Sequence, residues 1–196
     1  DDEYSLDRES ADLQAIVDTV DSEPVVVAHS FGGLVALAAA PSLDIRRLVL
    51  YEPAVTVGEP ADTPLSARVQ AVADDGEKAD AMRLFFEAGS GIPDVTAMPW
   101  WPAQINMDWI DTVIRELQAI EAFEVPSLDF DTPTLLLTGE HGPDHLAEGA
   151  HAVKDAHAKS RHVEIDGVGH LGLLSKSERV AELVATFDDD PAAVGQ

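Results

Sequence analysis

A serine, a histidine and the small residues around each are the parts of this sequence that can do chemistry. Ser30 stands in Ala28-His29-Ser30-Phe31-Gly32, directly after the apolar run PVVV (24–27) and just before the helix-like run LVALAAA (34–40). Strand, serine, glycine and helix in that order have the spacing of the nucleophile elbow G-x-S-x-G, in which small residues flank a serine held on a sharp turn. Ala28 replaces the first glycine by the next smallest side chain, and Gly33 is expected to let the helix approach the sheet. A serine hydroxyl attacks a carbonyl only when a base takes its proton. Of the seven histidines, His170 is the candidate base, because it lies in DGVGHLGLL, a glycine-rich loop between the last predicted strand and the closing helix. A loop of that composition can hold an imidazole over the carboxyl ends of the strands. Other chemistry is weakly represented. His141 and His145 have i, i+4 spacing, but no HExxH pattern accompanies them and no metal is expected. There is no phosphate loop or GxGxxG fingerprint, so no nucleotide or other cofactor is expected.

The elements that must position these residues follow from the hydrophobic pattern. Leu13, Ile16, Val17 and Val20 recur at helical spacing ahead of a strand at Val25 to Ala28. After the Ser30 turn the pattern predicts a helix to about Ala40 and a buried strand at Leu48 to Leu50, closed by Pro53. Strand character returns at Thr134 to Thr138 and at His162 to Ile165, with a helix from Pro143 to Ala158 between them. A last helix carries Val180, Leu183, Val184 and Phe187 as its apolar stripe, and Ser175 and Glu178 have capping-box spacing at its start. The DDDPAAVGQ tail is expected to be loose. Strands alternating with helices predict the α/β class, a mostly parallel sheet flanked by helices. Residues 57–130 break this alternation with helical segments and are expected to form an inserted helical cap, leaving 1–56 and 131–196 as the core. Met82, Phe85 and Phe86 mark one cap segment, and Trp109, Val113, Leu117 and Ile120 another. Met98, Trp100, Trp101, Met107 and Trp109 fit either internal packing of the cap or a substrate pocket lined by Trp100, Trp101 and Trp109.

Composition narrows the partners. The 196 residues carry 37 acidic and 12 basic side chains, a formal charge of −25, which works against binding nucleic acid or an anionic membrane. The composition resembles that of salt-adapted proteins, whose self-repulsion is screened in concentrated salt. Without cysteine, disulfides and thiolate chemistry are excluded. The longest strongly apolar run, Leu34 to Ala40, is far below the roughly 20 residues of a membrane helix. The acidic start, DDEYSLDRES, has no signal-peptide character, so a cytoplasmic protein acting on a small molecule is expected.

AHSFGG, LVLYEP, TLLLTGE and GVGHLG, in this order, resemble the α/β-hydrolase-fold serine hydrolases, and the resemblance covers essentially the whole chain. It implies that Ser30 is the nucleophile, His170 the general base, and the backbone N–H of Phe31 one donor of an oxyanion hole, with His29 a structural neighbour. The implied activity is hydrolysis of ester or thioester bonds through an acyl-enzyme, without a cofactor. A cofactor-free lyase or perhydrolase could use the same residues, and a non-catalytic fragment is the remaining alternative. The acid departs from the family pattern. Its usual slot, three residues after Gly139, holds Gly142, which leaves Glu52 at the end of the preceding strand, Asp144 two residues further on, and Glu140 as candidates. The family also places strands and an HG-type loop ahead of the elbow. Here one helix precedes it and the chain begins DDE, so a fold lacking the N-terminal strands, with an exposed edge at Val25, is expected.

Overall fold

Four short runs, three of them rich in Val or Leu, form the sheet of this computed structural model, which describes residues 4–59, 61–125, 128 and 130–194. In chain order, α1 (Leu6–Val17) leads to β1 (Val25–His29), α2 (Phe31–Ala39) and β2 (Arg47–Tyr51). Three α-helices follow, α3 (Leu65–Asp74), α4 (Lys78–Gly89) and α5 (Ile110–Ala122). The alternation then resumes with β3 (Thr134–Gly139), α6 (Asp144–Ala156) and β4 (Ser160–Ile165), and ends with α7 (Gly172–Ser175) and α8 (Ser177–Asp189). Among the described residues the strands lie in the order β1-β2-β3-β4, and every neighbouring pair is parallel. Parallel pairing requires a crossover between successive strands, which the helices supply.

Side-chain alternation divides the core. Val49, Tyr51, Leu135 and Leu137 pack with Val180, Leu183 and Phe187 of α8. Leu48, Leu50 and Leu136, one residue out of phase, are fully buried as well. Every residue of β3 is buried, as expected of a strand covered on both faces. At the edge, β1 leaves Val27 44% exposed, and α1 buries Val17 of its apolar stripe but leaves Ile16 65% exposed.

The chain divides into two compact units, residues 58–122 and the remainder. The smaller unit is helical, with its own core of Val69, Ala81, Met82, Ile110, Ile114 and Leu117.

Two local expectations are corrected. Ser175 does not cap the closing helix: it ends α7, and its hydroxyl donates to the Leu171 carbonyl at 3.2 Å. Lys176 stands at the start of α8 with no side-chain cap, while Glu178 lies in the first turn, where the helix dipole favours it. Nor is the tail loose up to residue 194, because Val194 is 3% exposed and belongs to the α8 core.

Candidate active site

A parallel sheet directs all its carboxyl ends to one side, and the residues that follow the strands meet there. Ser30 follows β1 at φ 54, ψ −123, a backbone conformation rare for a residue with a side chain. Its amide donates to the Tyr51 carbonyl at 3.1 Å, and its carbonyl accepts from the amides of Gly33, Leu34 and Ala54 at 2.9, 3.2 and 2.9 Å. The turn is thus fixed both to α2 and to the chain leaving β2. Gly33 is required by space, since a Cβ there would lie 2.9 Å from the Cα of Pro53. Gly32 is not: a Cβ at Gly32 meets nothing within 4 Å, so the steric reason expected of that elbow glycine applies to Gly33 instead.

His170 and Glu52 complete a line of hydrogen bonds. The Ser30 hydroxyl lies 3.0 Å from His170 Nε2, and His170 Nδ1 lies 2.7 Å from Glu52 Oε2. A carboxylate only accepts, so Nδ1 carries the proton and Nε2 is left to accept from serine. Glu52 is fully buried, and its other oxygen, Oε1, accepts the Gly139 amide at 2.8 Å. Glu52 sits at φ 41, a second non-glycine residue in the left-handed region, one step beyond the last residue of β2. Such conformations cost about 1–3 kcal/mol each and persist where surrounding bonds hold them. Here the Glu52 amide donates to the Leu137 carbonyl at 2.8 Å.

Of the three candidate acids, then, the structure brings Glu52 to the histidine. Asp144 is exposed in the first turn of α6, and no bond joins it to His170. The slot that a family member fills with aspartate is already filled by Glu52: a Cβ on Gly142 would lie 1.9 Å from Oε1. Glu140 turns the other way and accepts the Gly167 amide at 2.7 Å.

The loop that carries His170 is fastened at successive residues. Lys176 Nζ donates to the Asp166 carbonyl at 2.7 Å, and the His141 amide to the Val168 carbonyl at 2.8 Å. The Tyr51 hydroxyl donates to the Gly169 carbonyl at 2.8 Å, and His29 Nε2 lies 2.9 Å from the carbonyl of His170 itself. The rings of His29 and His170 lie 4.5 Å apart between centroids and are tilted by 38°, and the His29 ring meets Tyr51 edge-on at 5.6 Å. Burial holds the His29 pKa below the ordinary histidine value, and the neighbouring His170 lowers it further. Burial, with Glu52 next to it, pushes the Tyr51 phenol up, so it remains a donor at neutral pH. The sequence marks His29 only as a neighbour of the serine and leaves Tyr51 just past the predicted strand at Leu48 to Leu50. A hydroxyl directly after the aliphatic run Leu48-Val49-Leu50 is the available signal.

The remaining candidates are placed as follows. The Phe31 amide, at the start of α2, has no acceptor among the described residues and is available to an external oxygen. In the helical unit, Trp100 and Trp101 pack on Phe86 with centroids 5.3 and 6.4 Å apart, whereas Trp109 is 65% exposed. His141 is exposed beside Glu140, and no group of three metal-ligating side chains gathers among the described residues. Among the described residues no helix is long and apolar enough to cross a membrane. A hydroxyl, a base with a free lone pair and a buried carboxylate behind it can together move a proton off serine and back.

Comparison with known proteins agrees with this architecture. No protein with a curated description matches the chain. Among solved structures, an α/β hydrolase from Sphaerobacter thermophilus shares 24% identity with a TM-score of 0.74, over 95% of this chain and 76% of that one. An α/β hydrolase enzyme from a Medee basin deep-sea metagenome library gives 17% identity and a TM-score of 0.75 over 95% and 73%. An esterase from Exiguobacterium antarcticum gives 16% and 0.73 over 95% and 75%. At these identities the likeness is one of fold. The family profile goes further, matching residues 1–183, and the chain therefore belongs to the alpha/beta hydrolase family.

Proposed function

We propose that this protein is a serine hydrolase of carboxylic ester or thioester bonds that works through an acyl-enzyme. Ser30 attacks the carbonyl carbon while His170 Nε2 takes its proton. The imidazolium then returns that proton to the leaving group, and water, deprotonated in turn by His170, releases the acid. Glu52 holds the Nδ1–H tautomer and faces the positive charge that develops on the ring. The Phe31 amide stabilises the oxyanion, a role in which one donor is typically worth about 100- to 1,000-fold in turnover. The observation that carries the proposal is the unbroken line Ser30–His170–Glu52, at 3.0 and 2.7 Å, at the carboxyl ends of three different strands. The acidic composition supports a salt-adapted enzyme whose substrate is a small molecule rather than nucleic acid or an anionic membrane.

A fluorophosphonate probe and a p-nitrophenyl ester, both used in molar salt, test it. The wild type should label at Ser30 and turn over the ester, whereas His170→Ala should lose about 10⁴-fold or more in each rate. Glu52→Gln should lose about 10³- to 10⁴-fold and Asp144→Asn less than about twofold. A wild type that does not label at Ser30, or a His170→Ala variant that labels as fast, rejects the hydrolase. Loss in Asp144→Asn with none in Glu52→Gln rejects the acid.

A further inference from the structure

We infer that His29 and Tyr51 are a pair of positioning residues that hold the two backbone carbonyls on either side of the His170 Cα, and so set the imidazole in register with Ser30. The inference rests on the proposed roles of Ser30 and His170, and assigns two residues that those roles do not use. The His170 side chain reaches Ser30 and Glu52 through its ring, but the ring can occupy that line only if its Cα is fixed as well. The residue lies in a loop between β4 and α7, not in a regular element, so the ladder of the sheet does not fix it. Side chains from two other strand ends do. Tyr51, the last residue of β2, donates its hydroxyl to the Gly169 carbonyl at 2.8 Å, and His29, the last residue of β1, approaches the His170 carbonyl at 2.9 Å. The peptide groups before and after the base are thereby tied to the two strands that present the nucleophile and the acid. Ser30 directly follows His29, and Glu52 directly follows Tyr51. Each strand end therefore supplies one residue of the reacting line and, beside it, one residue that aims the base.

The chemistry of the two donors suits this place. A carbonyl oxygen cannot donate, so the His29 nitrogen facing it must carry hydrogen, which selects the Nε2–H tautomer of a neutral ring. A neutral donor matters because its ring lies tilted against that of His170 with centroids 4.5 Å apart, and a lysine or a charged imidazole there would oppose the positive charge that His170 takes up during turnover. Tyr51 is fully buried, and the space around its hydroxyl is closed: a Cβ on Gly172 would lie 2.0 Å from that oxygen. The phenol is thus confined to the one acceptor it has.

Steady-state kinetics per active site titrated with fluorophosphonate, together with ¹⁵N spectra of the histidine rings, test the assignment on the full chain in molar salt. His29→Phe keeps an aromatic ring but removes the donor, Tyr51→Phe removes only the hydroxyl, and His29→Gln keeps an N–H near the position of Nε2. His29→Phe and Tyr51→Phe should each lower kcat about tenfold with KM within about twofold, and His29→Gln should stay within about threefold of the wild type. In the wild type the His29 ring should show a protonated Nε2 and a bare Nδ1. A purely structural role would change the titrated fraction and leave kcat per titrated site alone. The inference is overturned if kcat in His29→Phe lies within about twofold of the wild type. It is equally overturned if His29 carries its proton on Nδ1, a measurement that needs no variant to fold. In either case labelling of Ser30 and its loss in His170→Ala stand, and the hydrolase survives. If the wild type does not label, or His170→Ala labels as fast, the hydrolase itself falls and the positioning role with it.

Discussion

Replacing Gly142 by alanine puts a methyl group where the Glu52 carboxylate already lies. The new Cβ would be 1.9 Å from Oε1, 2.8 Å from Cδ and 3.1 Å from the Gly139 carbonyl oxygen, against 3.4–4 Å for ordinary contact. The carboxylate must therefore withdraw by about 1.5 Å, which is too much for compression of a contact to absorb. It has nowhere good to go. Glu52 is fully buried, and moving it breaks the 2.8 Å bond from the Gly139 amide and the 2.7 Å bond to His170 Nδ1. Losing a bond to a buried carboxylate costs about 1–3 kcal/mol of stability. For turnover, a displacement of about 1 Å in such a site is worth roughly 100-fold, and complete loss of the acid's function roughly 10⁴-fold. Gly142→Ala displaces the acid without removing it, so kcat for a p-nitrophenyl ester should fall about 10²- to 10³-fold, equivalent to about 2.7–4 kcal/mol of barrier, with KM changed little. Shortening the acid should help. Glu52→Asp withdraws the carboxylate by about one methylene, and combined with Gly142→Ala it should recover at least about tenfold of the lost kcat. In a Glu52→Gln background, Gly142→Ala should add less than about threefold, because the interaction it destroys is already gone. If Gly142→Ala alone retains kcat within about threefold of the wild type at unchanged stability, Glu52 is not held against Gly142 and the assignment of the acid fails with it.

Two further outcomes concern stability. His162 is half-buried, its Nε2 lies 2.9 Å from the Thr138 hydroxyl, and burial first, then His151 and Lys154, lower its pKa. The unfolded chain therefore takes up a proton before the native state does. The contribution is fully present above the unfolded value of about 6.5 and is lost as the pH falls below it, so between about pH 7.5 and 5.5 the wild type should lose more stability in urea titrations than His162→Gln. Equal losses in the two proteins would reject it. The charge of −25 predicts that lowering KCl from about 2 M to 0.1 M, which lengthens the screening distance from about 2–3 Å to 10 Å, lowers Tm by roughly 10 °C. An unchanged Tm would show that the acidic surface is not under self-repulsion.

The difference between what the sequence shows and what it hides is the difference between local and long-range contacts. The elbow is local: an apolar strand, a serine and a small-residue helix start specify one turn, and Ser30 stands in it at φ 54. The histidine loop is nearly as local, since glycines after a strand and before a helix leave few other roles for His170. The acid is different. Glu52, Asp144 and Glu140 each stand close to a strand end, and nothing around Glu52 itself says that it is the one to reach Nδ1. That is decided by a glycine ninety positions from Glu52, whose missing side chain leaves the room that the carboxylate occupies. The tryptophans were undecidable for a related reason. Apolar size says that a ring will be covered, but only the position of Phe86 on α4 shows that Trp100 and Trp101 pack within their own unit, and Trp109 is not covered within it. The cap at Ser175 failed because a capping box assumes that the serine is free, whereas here the preceding turn, α7, has already taken its hydroxyl. The same point applies to function. Gly142 would be dismissed as a gap where the family keeps its acid, yet its lack of a side chain is the condition under which Glu52 can serve, so acid and glycine must be exchanged together or not at all.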